Sequence, residues 1–142
     1  GFHQLIWTDG KEHKYIEESG TMNLVLVIDG VILTPSEDSD TILRSVVKRS
    51  VVDLAKHWGI PVEERRISVD EVVQAIREGR LTDAFGAGTA ATIAPIAKIG
   101  FRGEVFDLPA VETRAVSKRI KAYLDGIKSG EVADELGWCV DV

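Results

Sequence analysis

The stretch Asn23 to Thr34, NLVLVIDGVILT, constrains the fold more than any other part of the chain. Two apolar runs flank Asp29-Gly30, and Asp-Gly in that setting is the chemistry of a tight β-hairpin. The first run reads as a buried strand. Leading into it is Tyr15 to Thr21, YIEESGT, which carries two adjacent acids to its threshold with no nucleophile, metal ligand or basic residue beside them. Carboxylates so placed need a partner from elsewhere in the fold.

The remaining elements follow from spacing and turn chemistry. Gln4 to Trp7, closed by Thr8-Asp9-Gly10-Lys11, reads as part of a second hairpin, and PSEDSD (Pro35 to Asp40) as a polar connection that does not pack. Val46, Val47, Val51, Leu54, Ala55 and Trp58 recur at helical spacing before Gly59-Ile60-Pro61, which predicts a helix from Ser45. Ser68 with Glu71 predicts a capping box and a second helix that stops at Gly79, and Arg65-Arg66-Ile67 before it reads as strand. Thr82 to Ile99 is small and β-branched, with Pro95 limiting a central-strand reading of its second half. Phe101 to Glu104 turns the chain into Val105-Phe106. A third helix is predicted from about Val111 to Ile127, with Val116, Ile120, Tyr123, Leu124 and Ile127 on its apolar face, and Gly137 to Val140 as a terminal strand. Strands and helices interleave without repeats, so the predicted class is mixed α/β.

At 142 residues, 44% hydrophobic and 28% charged, the chain is long enough for one core. Its net charge of −6 argues against nucleic acid, whose phosphates are held by clustered Lys and Arg. No apolar run approaches the ~20 residues of a membrane helix. GFHQLIWTDG lacks the pattern of a signal peptide, and the single Cys139 cannot form an internal disulfide, so a reducing cytoplasm is expected and Cys139 reads as a packed small side chain. The absence of an initiator Met, with the chain opening straight into a strand, creates the expectation of a piece of a longer polypeptide.

Two junctions carry residues suited to ligands. At Asp40 to Val47 a loop enters the first helix, where free backbone N–H groups and the positive end of the helix dipole favour an anion; an ordinary start capped by Ser45 accounts for the same residues. Gly86-Ala87-Gly88-Thr89-Ala90-Ala91 lacks the spacing of a nucleotide loop, and reads equally as a site of close ligand approach or as a bulge in a packed sheet. His3, His13 and His57 are too scattered for a metal site, and Lys98 reads as a solvent-facing lysine of an edge strand.

Together these segments resemble the branched-chain amino acid aminotransferases of the class IV pyridoxal-phosphate enzymes. QLIWTDGKEHKYIEESGTMNL is similar to the family's Q-V-L-W-L-D-G…E-x-G-T-M-N segment, FGAGTAATIAP to its F-G-x-G-T-A-x-x-x-x-P segment, and VVDLAKHWGIPVEER and GWCVDV to its helix and tail. The resemblance runs through the whole chain. It implies the large, cofactor-binding domain, a mixed pseudobarrel of the fold-type IV enzymes, similar to D-amino acid aminotransferase. Glu18 is then the acid that hydrogen-bonds the pyridine nitrogen of pyridoxal 5′-phosphate and keeps it protonated, so that the ring can act as an electron sink, and Glu17 faces away. The resemblance further places the 5′-phosphate on the backbone N–H groups of Val46 and Val47 and the hydroxyl of Thr89, and Leu43 against the ring. It gives the substrate carboxylate to the backbone of Thr89 and Ala90, and the border of the side-chain pocket to Thr21 and Met22.

The family's usual Leu-Pro-Gly-Val-Thr-Arg turn is Leu43-Arg44-Ser45-Val46-Val47-Lys48 here, so a Thr hydroxyl is missing at Val47, with Ser45, Arg44, Lys48 and Arg49 as candidates to compensate. Ala91 and Ala94 replace the Cys-x-x-Cys redox pair of some mammalian members. The family's Schiff-base lysine, a phosphate-binding arginine and the smaller N-terminal domain correspond to positions upstream of Gly1, so no catalytic residue is expected in this chain and the fragment alone is expected to be inactive. The resemblance implies a cytoplasmic homodimer that transfers an amino group between leucine, isoleucine or valine and 2-oxoglutarate, with no membrane or metal partner. The rivals are a noncatalytic relative serving as a dimerisation or ligand-binding module, and a D-amino acid aminotransferase or aminodeoxychorismate lyase.

Overall fold

The computed structural model describes residues 3–38, 41–89 and 92–140. Along these residues the elements are β1 (Ile6–Thr8), β2 (Ile16–Ser19), β3 (Met22–Ile28), β4 (Val31–Thr34), α1 (Val46–His57), β5 (Val62–Glu64), α2 (Val69–Arg77), β6 (Leu81–Gly88), β7 (Thr92–Pro95), β8 (Lys98–Phe101), β9 (Glu104–Asp107) and α3 (Ala115–Ser129). The class is mixed α/β, as the interleaved pattern predicts.

The central hairpin forms around Asp29 and Gly30, whose φ values of 53° and 75° give the doubly left-handed turn that matches strand twist. Its strand β3 organises the sheet. On one edge it pairs with β6, Asn23 opposite Ala87 through Ile28 opposite Leu81; on the other it pairs first with β2, Glu18 opposite Asn23, and then with β4, Leu26 opposite Leu33. Two strands sharing one edge must diverge, which opens a fork between β2 and β4. β5 joins β4 in parallel, β7 joins β6, and β8 with β9 forms a separate two-stranded sheet.

Both faces of β3 are covered, so its continuous apolar sequence is satisfied on each side. Val25 and Val27 pack with Phe85 and Ile93 beneath Val51 and Leu54 of α1 and Ile120 and Leu124 of α3. Leu24, Leu26 and Ile28 pack on the other face with Ile16, Ala84 and Val72 and Ala75 of α2. Each Val, Leu, Ile or Phe among them contributes about 1.5–3 kcal/mol by leaving water. A polar clamp joins the layers at the start of α3. Arg114, fully buried, donates to the carbonyls of Ala84 (3.0 Å), Ile96 (2.8 Å) and Pro109 (2.7 Å), while buried Asp83 accepts from Ser117 N at 2.8 Å. Asp83 Oδ1 lies 3.7 Å from Arg114 Nη1, an ion pair rather than a hydrogen bond.

Several sequence expectations need correction. The first hairpin is not a two-residue Asp-Gly turn: the Asp9 carboxylate gathers the N–H groups of Glu12 (2.6 Å), Lys14 (2.8 Å) and Tyr15 (2.8 Å), and the β1–β2 register is irregular. Those N–H donors, Tyr15 first, lower the Asp9 pKa from 3.8 to about 2. The strand expected at Arg65–Ile67 is β5, three residues earlier, because Val62–Glu64 pairs with β4. Ser68 caps α2 by accepting from Glu71 N at 3.1 Å, but the Glu71 carboxylate does not complete a box: Arg65 Nη1 holds it at 3.0 Å and lowers its pKa. Val111–Thr113 is a 3-10 turn and α3 begins only at Ala115. Residues 137–140 form no strand; Trp138 instead meets the Tyr123 ring edge-on at 6.3 Å, and Cys139 is exposed. Pro35 is buried, so the start of the PSEDSD connection does pack.

Candidate functional site

Residues directly opposite one another in a sheet project from the same face, so Glu18, Asn23 and Ala87 form one row across β2, β3 and β6. Two of the three are polar and lie beside an apolar core. Asn23 is buried, and its Nδ2 donates to the Leu43 carbonyl at 3.1 Å. Glu18 Oε1 accepts from the Leu43 N–H at 2.6 Å. Both backbone groups of one loop residue are therefore held by side chains of neighbouring strands. Glu17 accepts from Thr41 Oγ1 at 2.7 Å, so the two adjacent acids grip the same loop two residues apart where it enters the fork between β2 and β4.

Immediately after this fixed residue comes the start of α1. Ser45 has extended backbone and caps the helix, its Oγ accepting from Lys48 N at 3.3 Å. That leaves the first two helical N–H groups, Val46 and Val47, without an acceptor from the helix itself. Leu43 and Val46 are 70% and 80% exposed, so the turn presents an open apolar rim beside those donors.

On the other side of the row, Thr89 follows β6 and is exposed. Gly86 and Gly88 project to the opposite face, where Met22 lies on them: a Cβ at Gly86 would stand 2.8 Å from Met22 Cε, and one at Gly88 3.0 Å from Met22 Cγ. The absence of side chains at these two glycines is what lets Met22 lie flat on the sheet, and a Cβ at Gly86 would displace the end of Met22. Met22, half-buried, thus sits across the sheet from Glu18, and Thr21 is exposed in the β2–β3 turn. Ala90 lies outside the described residues. An apolar cavity of about 670 Å³, bordered by Ile16, Met22, Leu24 and Ile96, also belongs to the Met22 face. It does not reach the Glu18 row.

Asn23 is the residue that sequence reasoning gave no role, although a lone amide in an otherwise apolar strand already called for a buried partner. Of the cations considered for the altered turn, Lys48 is turned away: it is buried, with Nζ 2.7 Å from the Pro35 carbonyl and 3.4 Å from Glu37 Oε1. Arg44 and Arg49 are exposed.

Comparison with known proteins gives a consistent result. The family model described as "Amino-transferase class IV" matches residues 1–99. The branched-chain-amino-acid aminotransferase 2 of Bacillus subtilis is 44% identical over all 142 residues, which cover 39% of that protein. The cytosolic branched-chain-amino-acid aminotransferase of Rattus norvegicus is 37% identical over the whole chain and 35% of its own length. Among solved structures, the branched-chain amino acid aminotransferase of Escherichia coli superposes with a TM-score of 0.75 at 31% identity, covering 97% of this chain and 42% of that one. That of Thermoproteus uzoniensis, solved with norvaline, gives 0.75 at 26% identity over 97% and 41%. The chain thus spans about two fifths of the length of the Bacillus relative.

Proposed function

Because the chain belongs to the class IV amino-transferase family, we propose that it is the cofactor-binding portion of a branched-chain amino acid aminotransferase. The parent protein would exchange an amino group between leucine, isoleucine or valine and 2-oxoglutarate with pyridoxal 5′-phosphate. The observation that carries the reading is the 2.6 Å bond between Glu18 and the N–H of Leu43. It puts an acid and an anion-accepting helix start into one continuous unit.

The donor set fits such a cofactor. One end offers a carboxylate, Glu18, for a protonated ring nitrogen; the other offers the N–H groups of Val46 and Val47 and the Thr89 hydroxyl for a phosphate. When bound, pyridoxal phosphate supplies an electron sink for the carbanion formed at the substrate α-carbon. Glu18 accepts from the ring nitrogen and holds its proton there, while Asn23 and Glu18 keep Leu43 placed to cover a ring face. The backbone of Thr89 and Ala90 binds the substrate carboxylate, and Thr21, in the β2–β3 turn, borders the space for its side chain; Met22, on the far face of the sheet, packs on Gly86 and Gly88 instead. Proton transfer at the α-carbon falls to a lysine of the parent protein outside these residues. An N-terminal small domain, a homodimeric assembly and a cytoplasmic location complete the reading; among the described residues no helix is long and apolar enough to cross a membrane.

A noncatalytic ligand-binding relative is the second reading, favoured by the hydrocarbon side chain at Val47 and by the burial of Lys48 away from the open rim. Titration of the full-length protein with pyridoxal phosphate, followed by a leucine–2-oxoglutarate transamination assay, separates the two. Binding with turnover is expected. Binding without turnover selects the noncatalytic relative, and no binding refutes both.

A further inference from the structure

We propose that Lys48 is a positioning residue that fixes the first turn of α1 from behind, so that the Val46 and Val47 N–H groups face the anion, without touching that anion itself. The proposal rests on the function given above. At 100° per residue, Lys48 points about 200° away from Val46, so the exposed side chain of Val46 and the buried one of Lys48 leave the helix on opposite sides.

Several effects oppose a lysine in this place. Burial strips water from the ammonium group, and a cation in the first turn meets the positive end of the helix dipole. Its long stem also loses rotamer freedom. Helix stability therefore gives no reason for it. Its bonds do: Nζ donates to the Pro35 carbonyl at 2.7 Å and faces Glu37 at 3.4 Å. Pro35 directly follows β4, which Thr34 ties to β3 through a 2.8 Å bond from its Oγ1 to the Leu24 carbonyl. The turn at 43–47 is consequently held at both ends, Leu43 by Glu18 and Asn23, and the helix by Lys48 through β4. Both attachments lead back to β3.

The test uses the full-length protein and compares affinity for pyridoxal 5′-phosphate with affinity for pyridoxal, which lacks the phosphate. Lys48→Met is expected to weaken pyridoxal phosphate binding by roughly 10- to 100-fold through displacement of the turn, and to leave pyridoxal binding within about twofold. Lys48→Arg, which keeps charge and donors, should restore most of the affinity, and Glu37→Gln should give a smaller loss of the same phosphate-specific kind. Should Lys48→Met not fold, Glu37→Gln decides, since it weakens the same anchor while keeping the lysine. Unchanged phosphate-ligand affinity in Lys48→Met and Glu37→Gln, or an equal loss for both ligands in either, would overturn the proposal. Wild-type protein that binds neither ligand would instead overturn the function on which it rests.

Discussion

Replacing Arg114 by Met tests whether the clamp at the start of α3 holds the two layers together. The guanidinium is fully buried and supplies donors to the carbonyls of Ala84, Ile96 and Pro109. Losing them leaves the Ile96 and Pro109 carbonyls without these donors, at about 1–3 kcal/mol for each that stays buried, while Ala84 keeps the Ile96 N–H at 2.9 Å, and it leaves Asp83 Oδ1 without the cation that lay 3.7 Å away. These losses share one side chain and do not add. The expected cost of Arg114→Met is about 3–5 kcal/mol, the range for breaking a buried pair from one side. Asp83→Asn/Arg114→Met removes the orphaned charge and keeps an oxygen for Ser117 N, so it should be more stable than Arg114→Met alone by about 1–2 kcal/mol. Urea unfolding of the full-length proteins, followed by tryptophan fluorescence and circular dichroism together, measures both quantities. A single variant within about 1 kcal/mol of wild type, or a double variant less stable than the single one, would refute the argument.

Glu18→Gln preserves an oxygen for the Leu43 N–H but removes the charge, so kcat for the proposed transamination by the full-length protein should fall about 10- to 150-fold with cofactor still bound; unaltered kcat would remove Glu18 from the ring nitrogen. Gly86→Ala should destabilise by about 1–3 kcal/mol, and Met22→Ala on top of it should recover part of that loss, as read from thermal melts. A loss that Met22→Ala deepens would count against the close packing of the pair. The Asp9 pKa is lowered in the fold to about 2, so its contribution to the β1–β2 connection is complete above the ordinary value of 3.8 and is lost as pH falls through about 2. Amide resonances of Glu12, Lys14 and Tyr15 should therefore titrate with an inflection near pH 2. An inflection at the ordinary value would show that the carboxylate is not held by those groups.

Local chemistry made some of the fold legible and non-local pairing hid the rest. The Asp29-Gly30 turn, the Ser45 and Ser68 caps and the Gly59 and Gly79 stops are set by residues adjacent in sequence, and each stands where its chemistry requires. Val62–Glu64 became a strand because β4 lies beside it, a fact that no local pattern carries. Glu71 likewise left its own N-terminus for Arg65. In the site, the resemblance singled out Glu18 and strand alternation turned Glu17 from it, but neither could reveal that both acids bind one loop. Nor could spacing show that Lys48 would be drawn inward by the carbonyl of Pro35.

The acid at position 18 takes its direction from strand register: β2 meets β3 through two paired positions, Glu18 with Asn23 and Ser19 with Met22, and is braced on its other edge by β1 and by the Ile67 carbonyl, which accepts from Ile16 N at 2.8 Å. A slip of one step along that seam would rotate Glu18 to the far side of the layer and bring Glu17 or Ser19 into its place. The facing of the Glu18 carboxylate is thus a matter of alignment between strands, and the grip of Glu17 on Thr41 acts as a further detent against that slippage.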